Sequence, residues 1–310
     1  MRKFLLLCYF LGTIIAELYF LGLFVLGYPS TSRSKRSHIH SRSSFELEAK
    51  DISGSKCDSI KVRKEWRTLS YSEKASYIKS VKCLTQKPAK ILGKSYRRWD
   101  DFQFVHCEKI NEIHSTSIFL PCKSTLSTAV LWHRYFLYLY EKALREECEL
   151  SGPIPYWDWT LDAKNFTRSP IWSPDPIIGF GSNGSLFGKD SHNFLDAGVV
   201  DDGAFARFPI YHPAHLKLQR NFKLPSYLQI PGYYMGSQWY NAEYVQLILA
   251  ENNYTGFQMK LEGNHLLTNG VRLPGPHSIV HSIIGGDMNV LTYAANDVSF
   301  LTESLPGFTI

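Results

Sequence analysis

The sequence predicts a mainly α fold, a helical bundle joined and covered by long loops, and three observations carry that reading. Leu126, Val130, His133, Leu137, Tyr140 and Leu144 recur three or four apart and form the apolar face of a long helix, with Glu141, Lys142, Arg145 and Glu146 mostly off it. His277 and His281 stand four apart behind Pro276, a residue suited to the first turn of a second helix. Residues 165–260 are rich in proline, glycine, asparagine and aromatic residues with little periodicity, which reads as ordered loop. At 310 residues, with 44% hydrophobic and 14% aromatic content, the chain can fill a sizeable core.

Met1, Arg2 and Lys3 precede an apolar run reaching residue 27 that is broken by Glu17, the pattern of a secretory signal. The run also exceeds the usual signal core of about 7–15 residues, so an uncleaved signal-anchor is the alternative. Residues 28–55, rich in Ser, Arg, Lys and His, read as a disordered basic linker or pro-segment, with Lys35 and Arg36 a candidate processing pair. This segment accounts for part of the net charge of +6, so the charge does not point to nucleic acid. Beyond Cys8, the cysteines at 57, 83, 107, 122 and 148 are odd in number and fit an oxidising compartment. Sequons at Asn165, Asn183 and Asn253 fit the same route.

The folded region is expected to begin near residue 56. Val62, Trp66, Leu69, Ile78, Val81 and Leu84 give helical spacing in two pieces, with Ser70 as N-cap and Glu73 as its partner. The acidic-aromatic run at 100–104 leads to His106, and His114 follows a short distance on. The helix of His133 is expected to stop at Ser151, Gly152 and Pro153, glycine supplying the left-handed cap. A lone histidine on an apolar helix face is usually a satisfied core residue. Helical segments are expected at 244–251 and 257–261. His192, His212 and His215 read as surface or supporting residues, because His212 and His215 do not share a helix face.

WHRYF at 132–136, LREEC at 144–148, PYWDW at 155–159 and the His277–His281 pair running into IGGDM at 284–288 together resemble the tyrosinase family, the type-3 copper proteins that include catechol oxidases and haemocyanin. RKEWRTLS at 63–70 and EKASYIKSVKCL at 73–84 are similar to the opening of its fungal secreted members. The resemblance implies a helical bundle holding two copper ions in its core. His106, His114 and His133 match the ligands of the first copper, and His277 and His281 match two of the ligands of the second. Neutral imidazoles suit copper in both oxidation states. Each ion can then deliver one electron to dioxygen while a phenolic substrate leaves as an o-quinone. The rings must be unprotonated, so activity is expected to fall below about pH 6.5. No catalytic side chain is implied beyond the ligands. Glu262 reads first as an ordinary solvated glutamate, with a carboxylate near the substrate as the alternative. Ser278, where the hydroxylating members carry asparagine, favours diphenol or aminophenol oxidation over monophenol hydroxylation.

The chain departs from the family pattern in two places. FLP at 119–121 ordinarily runs almost directly into WHRYF, whereas residues 122–131 intervene here, either a tolerated loop insertion or helix extension, or a translated intron remnant. The family also continues from a segment like NDVSF at 296–300 into a helix bearing a His-His pair, and no histidine follows His281. The sequence therefore predicts a copper domain over 56–310 that is incomplete at its C-terminus. The leading reading is a secreted copper oxidase of o-diphenols acting with dioxygen, with a membrane association only if the leader is uncleaved. The alternative is an inactive copper-binding relative lacking the sixth ligand. An oxygen carrier and a zinc hydrolase fit less well, the latter because no carboxylate stands at helical spacing beside His277 and His281.

Overall fold

The computed structural model describes residues 61–113, 129–185, 196–229, 231–263, 265–266 and 272–300. The leader, the basic segment, His114, His192, Cys57 and Cys122, residues 122–128 and the tail at 301–310 lie outside the described residues. Six α-helices follow in chain order among those described: α1 Tyr71–Leu84, α2 Arg98–Ile113, α3 Ala129–Cys148, α4 Ala242–Leu249, α5 Tyr254–Glu262 and α6 Pro276–Ile284. Between α3 and α4 the chain runs through 3-10 turns and two antiparallel ribbons, β1 Gly198–Val199 with β4 Gln219–Arg220 and β2 Pro209–Ile210 with β3 Leu216–Lys217. A third ribbon, β5 His265–Leu266 with β6 Arg272–Leu273, joins α5 to α6.

The first helical piece expected near residue 66 is a single 3-10 turn at Trp66–Thr68, and the second is α1. Its cap forms as the sequence predicts: Glu73 N donates to Ser70 Oγ at 3.2 Å and Ser70 N donates to Glu73 Oε2 at 2.8 Å. Helix α1 packs on α3, α2 packs on both, α4 on α5, and α5 on α6. Cys83 and Cys148 join the C-terminal ends of α1 and α3, a pairing the sequence left open. The bridge closes a loop of sequence separation 65. Reducing it is expected to cost about 4 kcal/mol on the loop-entropy relation, read as a lower urea midpoint with reductant present.

Helix α3 departs from expectation at its end and on one face. It stops at Cys148 rather than at Ser151, and Glu149 takes the left-handed turn (φ 56°) that was assigned to Gly152. Leu150 is then buried and its amide reaches Leu144 O at 3.1 Å, so burial of leucine together with the disulfide ends the helix early. Glu141, expected off the apolar face, is buried. It accepts from Arg145 Nη1 at 2.6 Å and from Ile154 N at 3.3 Å, and that polar cage replaces the water it gives up.

Beside their ribbons and backbone hydrogen bonds, the loops and helices are packed together by rings. Trp66 meets Phe180, Trp99 meets Tyr140 and Phe208, and Trp157 meets Phe166 and Trp172 in edge or tilted geometries. Two residues fasten the loop layer to the last described turn. Arg220, fully buried, donates Nε to Asp297 Oδ2 at 2.7 Å and Nη2 to Asp297 Oδ1 at 2.9 Å. Its Nη1 donates to Phe180 O and Gly181 O at 3.1 and 2.7 Å, and its guanidinium lies 4.7 Å from the Trp172 ring centroid. Burial alone would raise the Asp297 carboxyl, but Arg220 and the hydrogen bonds from Ser299 hold it below the ordinary aspartate value.

Candidate metal centre

Helix α2 carries His106 inward beside Phe102, and its start is fixed by the acidic pair in the run that precedes the histidine. Asp101 accepts from the amides of Lys90, Ile91 and Leu92 at 2.7, 3.0 and 3.0 Å, while Asp100 accepts from Arg97 N at 2.8 Å. Both carboxylates are buried and tie the incoming loop to the first turn of α2. Helix α3 presents His133 alongside, its ring centroid 5.6 Å from that of His106. Trp132 stacks on Phe136 at 5.0 Å and stands 6.0 Å from His106 and 5.1 Å from His133, walling the pair with apolar surface.

Helix α6 supplies the other two rings. Ile279, Val280, Ile283 and Ile284 are buried in the core, and His277 and His281 lie one turn apart with centroids 4.7 Å from each other. A Cβ on Gly275 would lie 2.1 Å from Leu261 O, so glycine lets the start of α6 press against the end of α5. That contact brings Glu262 Oε2 to 2.8 Å from His277 Nδ1. This corrects the expectation that Glu262 is an ordinary solvated glutamate: its side chain is 11% exposed and pairs with His277, because the close approach of α5 and α6 folds it against that ring. Past α6 the chain turns at Gly285 and Gly286 (φ 63° and 52°) against β4, where a Cβ on Gly286 would meet Gln219 O at 2.2 Å. Asp287 Oδ2 accepts from Gln219 N, and the Met288 carbonyl returns to His281 Nδ1 at 2.8 Å. The GGDM sequence thus works as a close-packed turn that supports a histidine.

These partners fix ring chemistry. A carbonyl only accepts, so His281 carries its proton on Nδ1, and an ionised Glu262 requires the same of His277. In the neutral rings the lone pair then sits on Nε2, the form in which an imidazole ligates a metal, with the outer hydrogen bond orienting it. The two pairs meet at a His133–His277 centroid separation of 6.5 Å. Phe300 stands among them, 5.0 Å from His106 and 5.9 Å from both His133 and His281. This donor set of neutral imidazoles fits copper. Among the described residues no three His, Cys, Asp or Glu side chains form a group able to hold one ion, and each half of the cluster has two histidines there.

Ser278 Oγ accepts from Gly275 N and donates to Gly275 O, both at 3.1 Å, closing the first turn of α6. His212 packs its ring on Phe104 at 5.4 Å, and burial lowers its pKa. His215 stacks on Tyr211. Sequence reasoning missed the Met288 carbonyl and the Phe300 ring. The segment holding Phe300 was visible only as a likeness, with no spacing to say where its ring would point.

Fold and cluster first define a class: a helical-bundle domain with histidines from three helices gathered at its centre. Residues 96–302 match the model of the common central domain of tyrosinase, and the chain belongs to the tyrosinase family. That family's centre is a pair of type-3 copper ions. Tyrosinase-like protein phomQ1' of Diaporthe leptostromiformis is 42% identical over 151 residues, covering 48% of this chain and 36% of the relative. Tyrosinase-like protein phomQ2 of the same organism is 34% identical over 248 residues, covering 79% and 56%. The chain thus spans about half or less of the length of these relatives. Polyphenol oxidase from Thermothelomyces thermophila superposes with a TM-score of 0.60 at 29% identity, covering 80% of this chain and 68% of that one.

Proposed function

We propose that the protein is a copper-dependent oxidase of o-diphenols that reduces dioxygen, with His106, His114 and His133 holding one copper and His277 and His281 holding the second. The observation that carries this reading is the convergence of four imidazoles from α2, α3 and α6, with ring separations of 5.6, 6.5 and 4.7 Å along the series 106, 133, 277, 281. Copper, when bound, supplies the one-electron steps between the phenol and dioxygen. The protein's own groups prepare the site: Glu262 and the Met288 carbonyl hold the Nδ1 protons, and Trp132, Phe136 and Phe300 supply apolar surface around the rings. Overall, two o-diphenols each lose two electrons and two protons, yielding two o-quinones while one dioxygen becomes two waters. Ser278, whose hydroxyl is occupied by Gly275, supports diphenol or aminophenol oxidation over hydroxylation of monophenols.

The apolar leader supports delivery to the secretory pathway, with a single membrane anchor as the alternative; among the described residues no helix is long and apolar enough to cross a membrane. The test is to load the full chain with copper, count ions per chain, and follow catechol oxidation by quinone absorbance and oxygen uptake. Turnover that disappears with a copper chelator and returns on reloading is the expected result. Copper uptake without turnover would replace the oxidase with the inactive copper-binding reading, and absence of uptake would overturn both.

A further inference from the structure

We propose that Phe300 is a positioning residue whose ring sets the spacing between the two halves of the histidine cluster, and that Arg220 and Asp297 are the anchor that places it. In relation to copper this rests on the reading above. Phe300 is 7% exposed and meets three imidazoles edge-on, at interplanar angles of 74°, 64° and 80° to His106, His133 and His281. Those rings come from α2, α3 and α6, so one side chain touches every helix that contributes to the cluster. An edge-to-face contact is directional, and three of them fix a ring on three sides.

The backbone below the ring is held as firmly. Asp297 Oδ1 accepts from Ser299 N at 3.0 Å and from Ser299 Oγ at 2.8 Å, and Phe300 N donates to Asp297 O at 3.0 Å, closing a tight turn. The same carboxylate is gripped by two nitrogens of Arg220, which is itself fastened to the carbonyls of Phe180 and Gly181. Asn296, at the head of the turn, donates to His212 O at 3.0 Å. A buried charge pair would be an expensive way only to fill space, since apolar residues do so without desolvation cost. Its directional bonds instead define where the turn, and hence the Phe300 ring, must lie. Apolar and outer-sphere surroundings of a metal site tune its affinity through ligand orientation.

The experiment compares the wild-type full chain with Phe300→Leu and Phe300→Ala, each checked for helix content and melting temperature. Two readouts are taken. In the metal-free protein, the histidine ring carbon–proton NMR signals of His106, His133 and His281 are expected to move in both variants, while that of His215, stacked on Tyr211 at 5.2 Å, stays in place. With copper added against a chromophoric chelator, Phe300→Ala is expected to bind about 10-fold more weakly, Phe300→Leu recovering part of the loss, with more of the bound Cu(II) visible by electron paramagnetic resonance as the halves lose their set spacing. Unmoved signals from those three histidines, or wild-type copper affinity in a folded Phe300→Ala, would overturn the inference. If the alanine variant does not fold, the leucine variant decides by the same readouts. Moved histidine signals in a chain whose wild type takes up no copper would leave the spacing role standing and remove the copper oxidase reading, so the two failures are separable.

Discussion

Replacing His277 with alanine is expected to lower copper affinity at the second half of the cluster by more than about 100-fold, because removing a ligand must exceed the roughly 10–100-fold loss typical of an outer partner. If the proposed oxidase reading holds, o-diphenol oxidation should fall at least as far. In the proposed centre His277 and His281 are the two rings that the described residues offer on that side, 4.7 Å apart, so the deletion would halve the donor set there. Glu262→Gln provides the graded comparison. It keeps the shape and a hydrogen bond to Nδ1 but withdraws the negative charge 2.8 Å away, and should weaken binding by about 10–100-fold. Competition with a copper chelator measures both, and calorimetric melting separates lost ligation from lost fold. An alanine variant that keeps wild-type copper content would remove His277 from the ligand set.

Asp297→Asn is expected to destabilise the fold by about 3–5 kcal/mol, the cost of leaving a buried guanidinium without its counter-charge. Arg220 and Asp297 are both at 0% side-chain exposure, so no water reaches in to compensate. The double variant Arg220→Met with Asp297→Leu should lose less than the single one, because it removes both charges together; the residual loss reflects the carbonyls of Phe180 and Gly181, which then lack the Arg220 donor. Urea denaturation of the three proteins checks the order. The pH dependence has a definite sign. The Asp297 carboxyl lies below its ordinary value when folded, so its contribution is complete above about pH 3.9 and is lost as pH falls through the lowered folded value. The double variant should lack that acid-sensitive part.

The helices were legible where a period or a cap is written locally. The apolar spacing through α3, the Ser70 and Glu73 pair of α1, and the four-residue step of His277 and His281 each involve neighbours on one turn, and each appears in the structure. What the sequence did not disclose is non-local or short. Arg220 finds Asp297 across 77 positions with no periodicity linking them, and the ribbons are two residues per strand, too short for alternation to register. Glu141 looked solvent-facing because helix spacing alone cannot see the loop amide of Ile154 that folds over it. The same holds for the cluster. Which histidines face inward on a helix is local, but the Met288 carbonyl and Phe300 reach them only through turns whose direction depends on glycine close approach and a buried ion pair.

The long reach of Arg220 also bears on the order in which the molecule assembles. It gathers Phe180 and Gly181 from 40 and 39 positions upstream and Asp297 from 77 downstream, so chain segments widely separated along the sequence must meet before any of these bonds exists. Closing such spans costs entropy ahead of the contacts that repay it, which makes non-local topology slow to form. Individual helices can fluctuate into shape early. If Phe300 sets the spacing of the imidazoles as proposed, their final placement would follow the Arg220 junction, so the centre is expected to mature as a late kinetic event, with a metal ion captured by a nearly finished protein rather than serving as the seed around which the chain condenses.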